Sequence, residues 1–365
     1  MTLIDPLLQK QQVPPQAIDE PQQLNDSPRP MPRVRTDETI ELFGSLAAAG
    51  VLGGILCWFL SWGGLLGPAL VVGLLFVAIF SIVVRESSGQ EAASARIAHV
   101  LIVVVSVSAV APVVAMIGYV VVKGLPALRP GFFVQNMAKV GPLDKGGGAF
   151  HSIIGTLEQV GIASVISIPI AVMSAVYLNE MKGRLAVVVR FLVDAMSGVP
   201  SIVAGLFIFA FWVIGLHKGP SGFAASLALV VLMLPTVTRT SEEVLRTISD
   251  NLREASLALG APQWRTVVGV VLPTAKSGLL TATLLGIARA IGETAPVVLT
   301  ALTASGTNKN PFSGRQSSLV TFVFDLLKQP NEVQRQRAAT GSLVLLMLVV
   351  LLFTIARLAG TTRRK

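Results

Sequence analysis

Charge is what this chain has least of. Only 13% of its 365 residues are Asp, Glu, Lys or Arg, about half the share usual in soluble domains, so water is excluded as its main solvent. Cysteine is almost missing too: Cys57 stands alone inside an apolar run, which excludes an intrachain disulfide framework. Aromatics are 6% of the chain and no basic tract has them interleaved, so the formal charge of +9 does not mark a nucleic-acid partner. No Lys follows a Gly, and without that pair there is no P-loop to cradle nucleotide phosphates. No metal site or bound cofactor is expected. Residues 1–38 have no apolar run near the start; rich in Pro and Gln, they read as a disordered cytoplasmic tail and not as a cleaved signal peptide.

What is abundant is hydrophobicity, 52% of residues. A bilayer core of ~30 Å takes about 20 residues of helix at 1.5 Å each. Eight candidate stretches run Ile40 to Trp62, Leu65 to Val84, Ile97 to Val122, Ser152 to Leu178, Phe191 to Gly215, Gly222 to Thr238, Ser277 to Ala304 and Ala338 to Ala356. The expectation is an all-α integral membrane protein whose first two spans form a tight hairpin around Gly63. With the tail in the cytoplasm, Arg85, Arg96, Lys182, Arg184, Arg190, the Arg239 to Lys276 region and the terminal Arg363, Arg364 and Lys365 fall inside, as the positive-inside bias favours. Lys309, Arg315, Lys328, Arg335 and Arg337 oppose it from the outer side. Both termini are expected in the cytoplasm.

Two outer segments do not read as spans. Lys123 to Phe150 contains Leu-Pro, Arg-Pro and Gly146-Gly147-Gly148, which is loop chemistry. Within Gly306 to Arg337, Leu319, Val320, Val323, Phe324 and Leu327 keep helical spacing over Ser317 to Leu327. That helix either lies at an interface or packs on its own neighbours.

The longest cytoplasmic connection is Arg239 to Pro273. Ser249 or Asp250 can cap a helix carrying Leu252, Ala255, Leu257 and Leu259, and Gly260 with Pro262 ends it. A second helix starts near Gln263 and returns to the membrane at Leu272-Pro273. Two short helices with a forced bend make a compact protrusion suited to a groove on another protein. Glu254-Ala255-Ser256, Gly260, Val270 and Leu272-Pro273 resemble, at matching spacing, the EAA loop of ABC importer permeases. Ser256 replaces the second Ala and Val270 the usual Ile. The resemblance implies that Glu254, Ala255, Ser256, Gly260, Pro262, Leu272 and Pro273 belong to a coupling loop that docks on a separate ATPase subunit.

Four ionisable residues fall inside expected spans: Glu158, Asp194, Arg289 and Glu293. A charge at mid-bilayer costs about 2.5–3.5 kcal/mol on insertion scales, so each is a functional candidate. With its span opening at Ser277, Arg289 lies about 18 Å along the helix. Gly286, Arg289, Glu293, Pro296, Thr300 and Thr303 alternate spacings of three and four and would share one face. A guanidinium fork suits a tetrahedral oxyanion. Glu293, one turn on, could accept a hydrogen bond from protonated phosphate, whereas sulfate at neutral pH has no proton to donate. The other reading is that Arg289 and Glu293 neutralise each other as an i, i+4 pair at a subunit interface. Glu158 shares an approximate face with His151, and the two could line an outer mouth, or Glu158 could snorkel or sit at an interface. Asp194 could pair with Arg190, one turn back.

The segment Gly286 to Leu302, G-I-A-R-A-I-G-E-T-A-P-V-V-L-T-A-L, resembles the signature helix of PstA-type permeases of phosphate ABC transporters. Gly146-Gly147-Gly148, Gly155-Thr156, Ala175 to Leu178 before Glu180, Arg190-Phe191, Asp194, Pro200 to Val203, Gly205 to Phe207, Arg239-Thr240 and Leu252 to Ala255 add to it. The likeness covers about Ala98 to Arg357. It implies the type I importer permease fold, six core helices, here extended by a two-helix hairpin at 39–86. The first core helix and outer loop would occupy 97–150, the permease domain 151–358 with its loop at 239–273, and a basic tail 359–365. Arg289 and Glu293 would be pathway charges, with Thr294 and Thr300 beside them. The implied complex sits in a bacterial inner membrane with two copies of an ABC ATPase subunit that uses the ATP, a second permease of PstC type and an external phosphate-binding protein. Rival readings are a permease for phosphonate, sulfate or molybdate, and an ATP-independent channel or scaffold.

Overall fold

The computed structural model describes residues 36–60, 66–88, 90–144, 146–181 and 183–361. All regular structure among them is helical, in two compact units that divide at Ala111–Pro112. The first unit holds α1 (Thr36–Leu60), α2 (Leu66–Ser88) and the first part of α3 (Gln90–Gly124). Its core is Ala49 of α1, Phe76, Phe80 and Val84 of α2, and Val100 of α3. Arg96 meets Glu41 at 3.3 Å. The expected turn at Gly63 and the tail as far as residue 35 lie outside the described residues.

The second unit is centred on α4 (Phe150–Glu180) and α7 (Gly222–Arg246). Ala163, Ser167, Ala171 and Ala175 recur every four residues on α4 and are fully buried. Ala225, Leu229, Met233 and Val237 do the same on α7. A four-residue period keeps one face, and small side chains on it let two backbones approach closely without a hydrophobic drive from water. α7 also runs on to Arg246, past the expected membrane exit at Thr238.

Two expected spans are broken. The stretch Phe191 to Gly215 is not one rod: α5 (Arg184–Ser197) and the segment from α6 (Ser201–Ile208) on to Gly215 are bent by 103°. Pro200 is the cause, since it has no N–H for the Met196 carbonyl and its ring collides with it; it becomes the N-cap of α6 instead. The seventh span also stops short of Ala304. After α8 (Asp250–Ala258), α9 (Gln263–Thr266) continues through a π turn into α10 (Leu272–Ile291), a 29-residue rod from Gln263 that ends at Ile291. Pro296 cannot continue a helix over the Gly292 carbonyl, so α10 stops and α11 (Ala295–Thr300) starts anew. Leu302, at φ 56°, then turns the chain away. The expected single face from Gly286 to Thr303 is therefore divided at Gly292.

α12 (Leu319–Leu327) buries Leu319, Phe322 and Leu326 against Phe132 and against Ala338 and Val344 of α13 (Glu332–Thr361). Of the two readings of this segment, the helix packed on its own neighbours is the one observed. Among the described residues, seven helices are long and apolar enough to cross a bilayer, and the bent pair raises the number to eight when counted as one broken span.

Candidate functional site

The protruding loop forms as its local chemistry dictates. Ser249 accepts a hydrogen bond from the Asn251 N–H at 3.3 Å and caps α8. Gly260 follows at φ 82°, a left-handed conformation that costs a side chain dearly, and Pro262 caps α9. The Ser256 and Thr266 hydroxyls meet at 2.9 Å and tie the two short helices together. Glu254 and Ala255 face solvent, as do Leu257, Trp264 and, at 89% exposed, Leu259. At the base, Val271 is buried against Leu245, Ile248 and Ala275, and Leu272 with Pro273 opens α10. The loop thus offers an apolar tip on a rigid foot.

Arg289 lies in the last turn of α10. Its Nη1 donates to Thr236 Oγ1 at 3.3 Å, and its Nε is 4.0 Å from Glu293 Oε1, so the intrahelical pair is loose. The guanidinium opens on a cavity of about 310 Å³ walled by Ser197 and Val199 at the α5–α6 bend and by Pro235, Thr236, Arg239, Thr240 and Glu243 of α7. Since a liquid water occupies ~30 Å³, an oxyanion fits there with part of its hydration. Two guanidinia, those of Arg289 and Arg239, supply donors for such an ion, while the Ser197, Thr236 and Thr240 hydroxyls donate to the carbonyls of Val193, Leu232 and Thr236. Arg239 holds Asp194 at 2.5 Å.

Glu293 stands beside this cavity but does not line it, nor does Thr294, the N-cap of α11. Thr300 is fully buried; its hydroxyl donates to the Pro296 carbonyl at 2.7 Å, and its own carbonyl accepts from the Ser221 N–H. His151 is 3% exposed with its ring against Phe322. Glu158 accepts a 2.5 Å hydrogen bond from Gln316, which also bonds Gln159 and the Asn308 carbonyl. These bonds knot α4 to the segment that holds Asn308 and Gln316. Asp194 does not take Arg190, because Arg190 and Arg246 both hold Glu242, at 2.8 and 2.7 Å.

Sequence reading missed Arg239 and Thr236 as cavity residues. The signal was present: Thr236, Arg239, Thr240 and Glu243 fall at i, i+3, i+4 and i+7, a polar face on a helix that was expected to end at Thr238.

This geometry, long apolar helices around a cationic cavity with a protruding foot, defines a multi-pass membrane permease. A family model described as "Binding-protein-dependent transport system inner membrane component" matches residues 167–362. The phosphate transport system permease protein PstA 1 of Mycobacterium tuberculosis is 40% identical over 264 residues, covering 71% of this chain and 86% of that one. PstA of Pasteurella multocida is 35% identical over 240 residues, covering 65% and 84%. Among solved structures, a chain of the inward-facing MetNI methionine ABC transporter aligns at 22% identity and TM-score 0.44, over 58% of this chain and 91% of that one. The chain belongs to the binding-protein-dependent inner-membrane transport components and, among them, to the PstA-type phosphate permeases.

Proposed function

We propose that this chain is the membrane-spanning permease subunit of an ATP-driven importer, and that it passes inorganic phosphate, delivered by an external binding protein, through the cavity beside Arg289. It lies in a bacterial inner membrane with both termini in the cytoplasm. It pairs with a second permease of PstC type and with two copies of an ATPase subunit, which use the ATP. The exposed tip at Leu257, Leu259 and Trp264 is the surface offered to the ATPase. Closure of the ATPases moves this tip, and the rod from Gln263 to Ile291 carries the movement to Arg289.

The observation that supports this most is the position of Arg289. A charge within an apolar helix is costly, and this side chain, 58% exposed, lines a cavity with a second arginine. A residue kept only to neutralise Glu293 would close on it; at 4.0 Å the pair is loose, and with Nη1 on Thr236 the rest of the guanidinium is open to an oxyanion. The test is uptake of labelled phosphate by cells carrying Arg289→Ala, with membrane levels equalised. Uptake should collapse; transport at the wild-type rate would reject the assignment.

A further inference from the structure

Arg253, next to Glu254 of the coupling loop, is not consumed by the proposed transport path, yet it makes more polar contacts than a surface arginine does. Its Nε donates to Glu180 Oε1 at 3.2 Å, at the last residue of α4. Its Nη2 donates to the Leu245 carbonyl at 3.1 Å, in the last turn of α7, and its Nη1 to the Ile248 carbonyl at 3.0 Å, just beyond that helix. Nη1 also reaches Asp250 at 2.8 Å. The side chain is only 16% exposed and that of Glu180 11%. Around it, Asn179 donates to the same Glu180 oxygen at 2.9 Å, and Gln263 of α9 donates to the Glu180 carbonyl at 3.1 Å.

The last carbonyls of a helix have no partner within it, and a cation at that end is favoured by the helix dipole. Arg253 serves the end of α7 in this way while its other edge grips the carboxylate that ends α4. One side chain on α8 thus ties the end of α4, far from it in sequence, to the end of α7, which precedes α8 directly in the chain. The chain itself joins α8 to α7 through residues 247–249 and, through α9, to α10, so α4 is the helix reached by the side chain alone.

Resting on the functional reading above, we propose that Arg253 is a positioning residue for energy coupling: through Glu180 and the Leu245 and Ile248 carbonyls it makes α8 move as one body with α4 and α7, so that a push on the foot is delivered to the helices flanking the cavity as well as to α10. Lysine cannot substitute fully, since a point ammonium lacks the planar fork that spans carboxylate and carbonyls at once.

The test uses the complete complex with its ATPase and binding protein in proteoliposomes. Arg253→Met should leave assembly and ATP hydrolysis near wild type while phosphate imported per ATP falls at least tenfold; an unchanged ratio overturns the proposal. Should Arg253→Met not assemble, Arg253→Lys is read instead, with a three- to tenfold fall expected and a wild-type ratio overturning it. A second readout does not depend on cargo. Amide hydrogen exchange over residues 250–258 of the complex should be slow in the wild type and at least tenfold faster in Arg253→Lys and in Glu180→Gln, and equal rates overturn the clamp. A wild-type complex that hydrolyses ATP without importing phosphate defeats the functional reading, while exchange still decides the clamp.

Discussion

Asp194 and Arg239 join α5 to α7 through a 2.5 Å ion pair at the wall of the cavity that Arg289 enters. Both side chains are about half exposed, at 54% and 50%. Such pairs contribute about 0–1 kcal/mol, so this one can open when another anion competes for the guanidinium. Asp194→Asn is therefore expected to change the melting temperature of the purified complex little, whereas Arg239→Gln lowers the initial rate of phosphate uptake several-fold. Equal uptake in Arg239→Gln and wild type would remove Arg239 from the path.

Charge and shape can be separated at Arg289. Arg289→Lys keeps the cation but loses the fork, and hydrogen bonds to charged groups contribute about 1.5–3 kcal/mol each. Uptake in Arg289→Lys is expected to lie between wild type and Arg289→Ala, roughly tenfold below wild type for the loss of one such bond. Initial rates at saturating binding protein measure it.

Gly260 tests the foot. At φ 82° a β-carbon costs about 1–2 kcal/mol, so Gly260→Ala should reduce the ATPase that co-purifies with the permease. Gly260→Asn should reduce it less, because Asn tolerates the left-handed region.

Leu259 tests the tip. It is 89% exposed and holds nothing together within this chain, so Leu259→Asp should weaken ATPase capture in pull-downs while leaving the permease's own melting temperature unchanged. A fall in melting temperature would instead mark Leu259 as structural.

Gly205 tests the broken helices. A β-carbon there would sit 2.6 Å from the Pro296 Cα, backbone that cannot yield easily. Gly205→Val should destabilise the protein by about 1–3 kcal/mol as an overpacked contact. Gly269→Ala, with nothing within 4 Å of the added carbon, should not. Thermal unfolding in detergent compares the two.

By itself the sequence determined the features whose physics is local or averaged over a window. Apolar length marked the spans because a bilayer sets that length for any helix. Ser249, Gly260 and Pro262 marked the foot because capping, a positive φ and a missing N–H act within a turn of where they occur. Pro200 and Pro296 were equally local, but hydropathy is blind to backbone breaks, so apolar composition ran two spans straight through interruptions that proline imposes. Tertiary structure alone decided the charge partners. Asp194 had Arg190 one turn away and took Arg239; Glu158 met Gln316; Arg253 met Glu180. Electrostatic and hydrogen-bond energies depend on distances of a few ångströms between helix ends, and the packing of α4, α5 and α7 sets those distances.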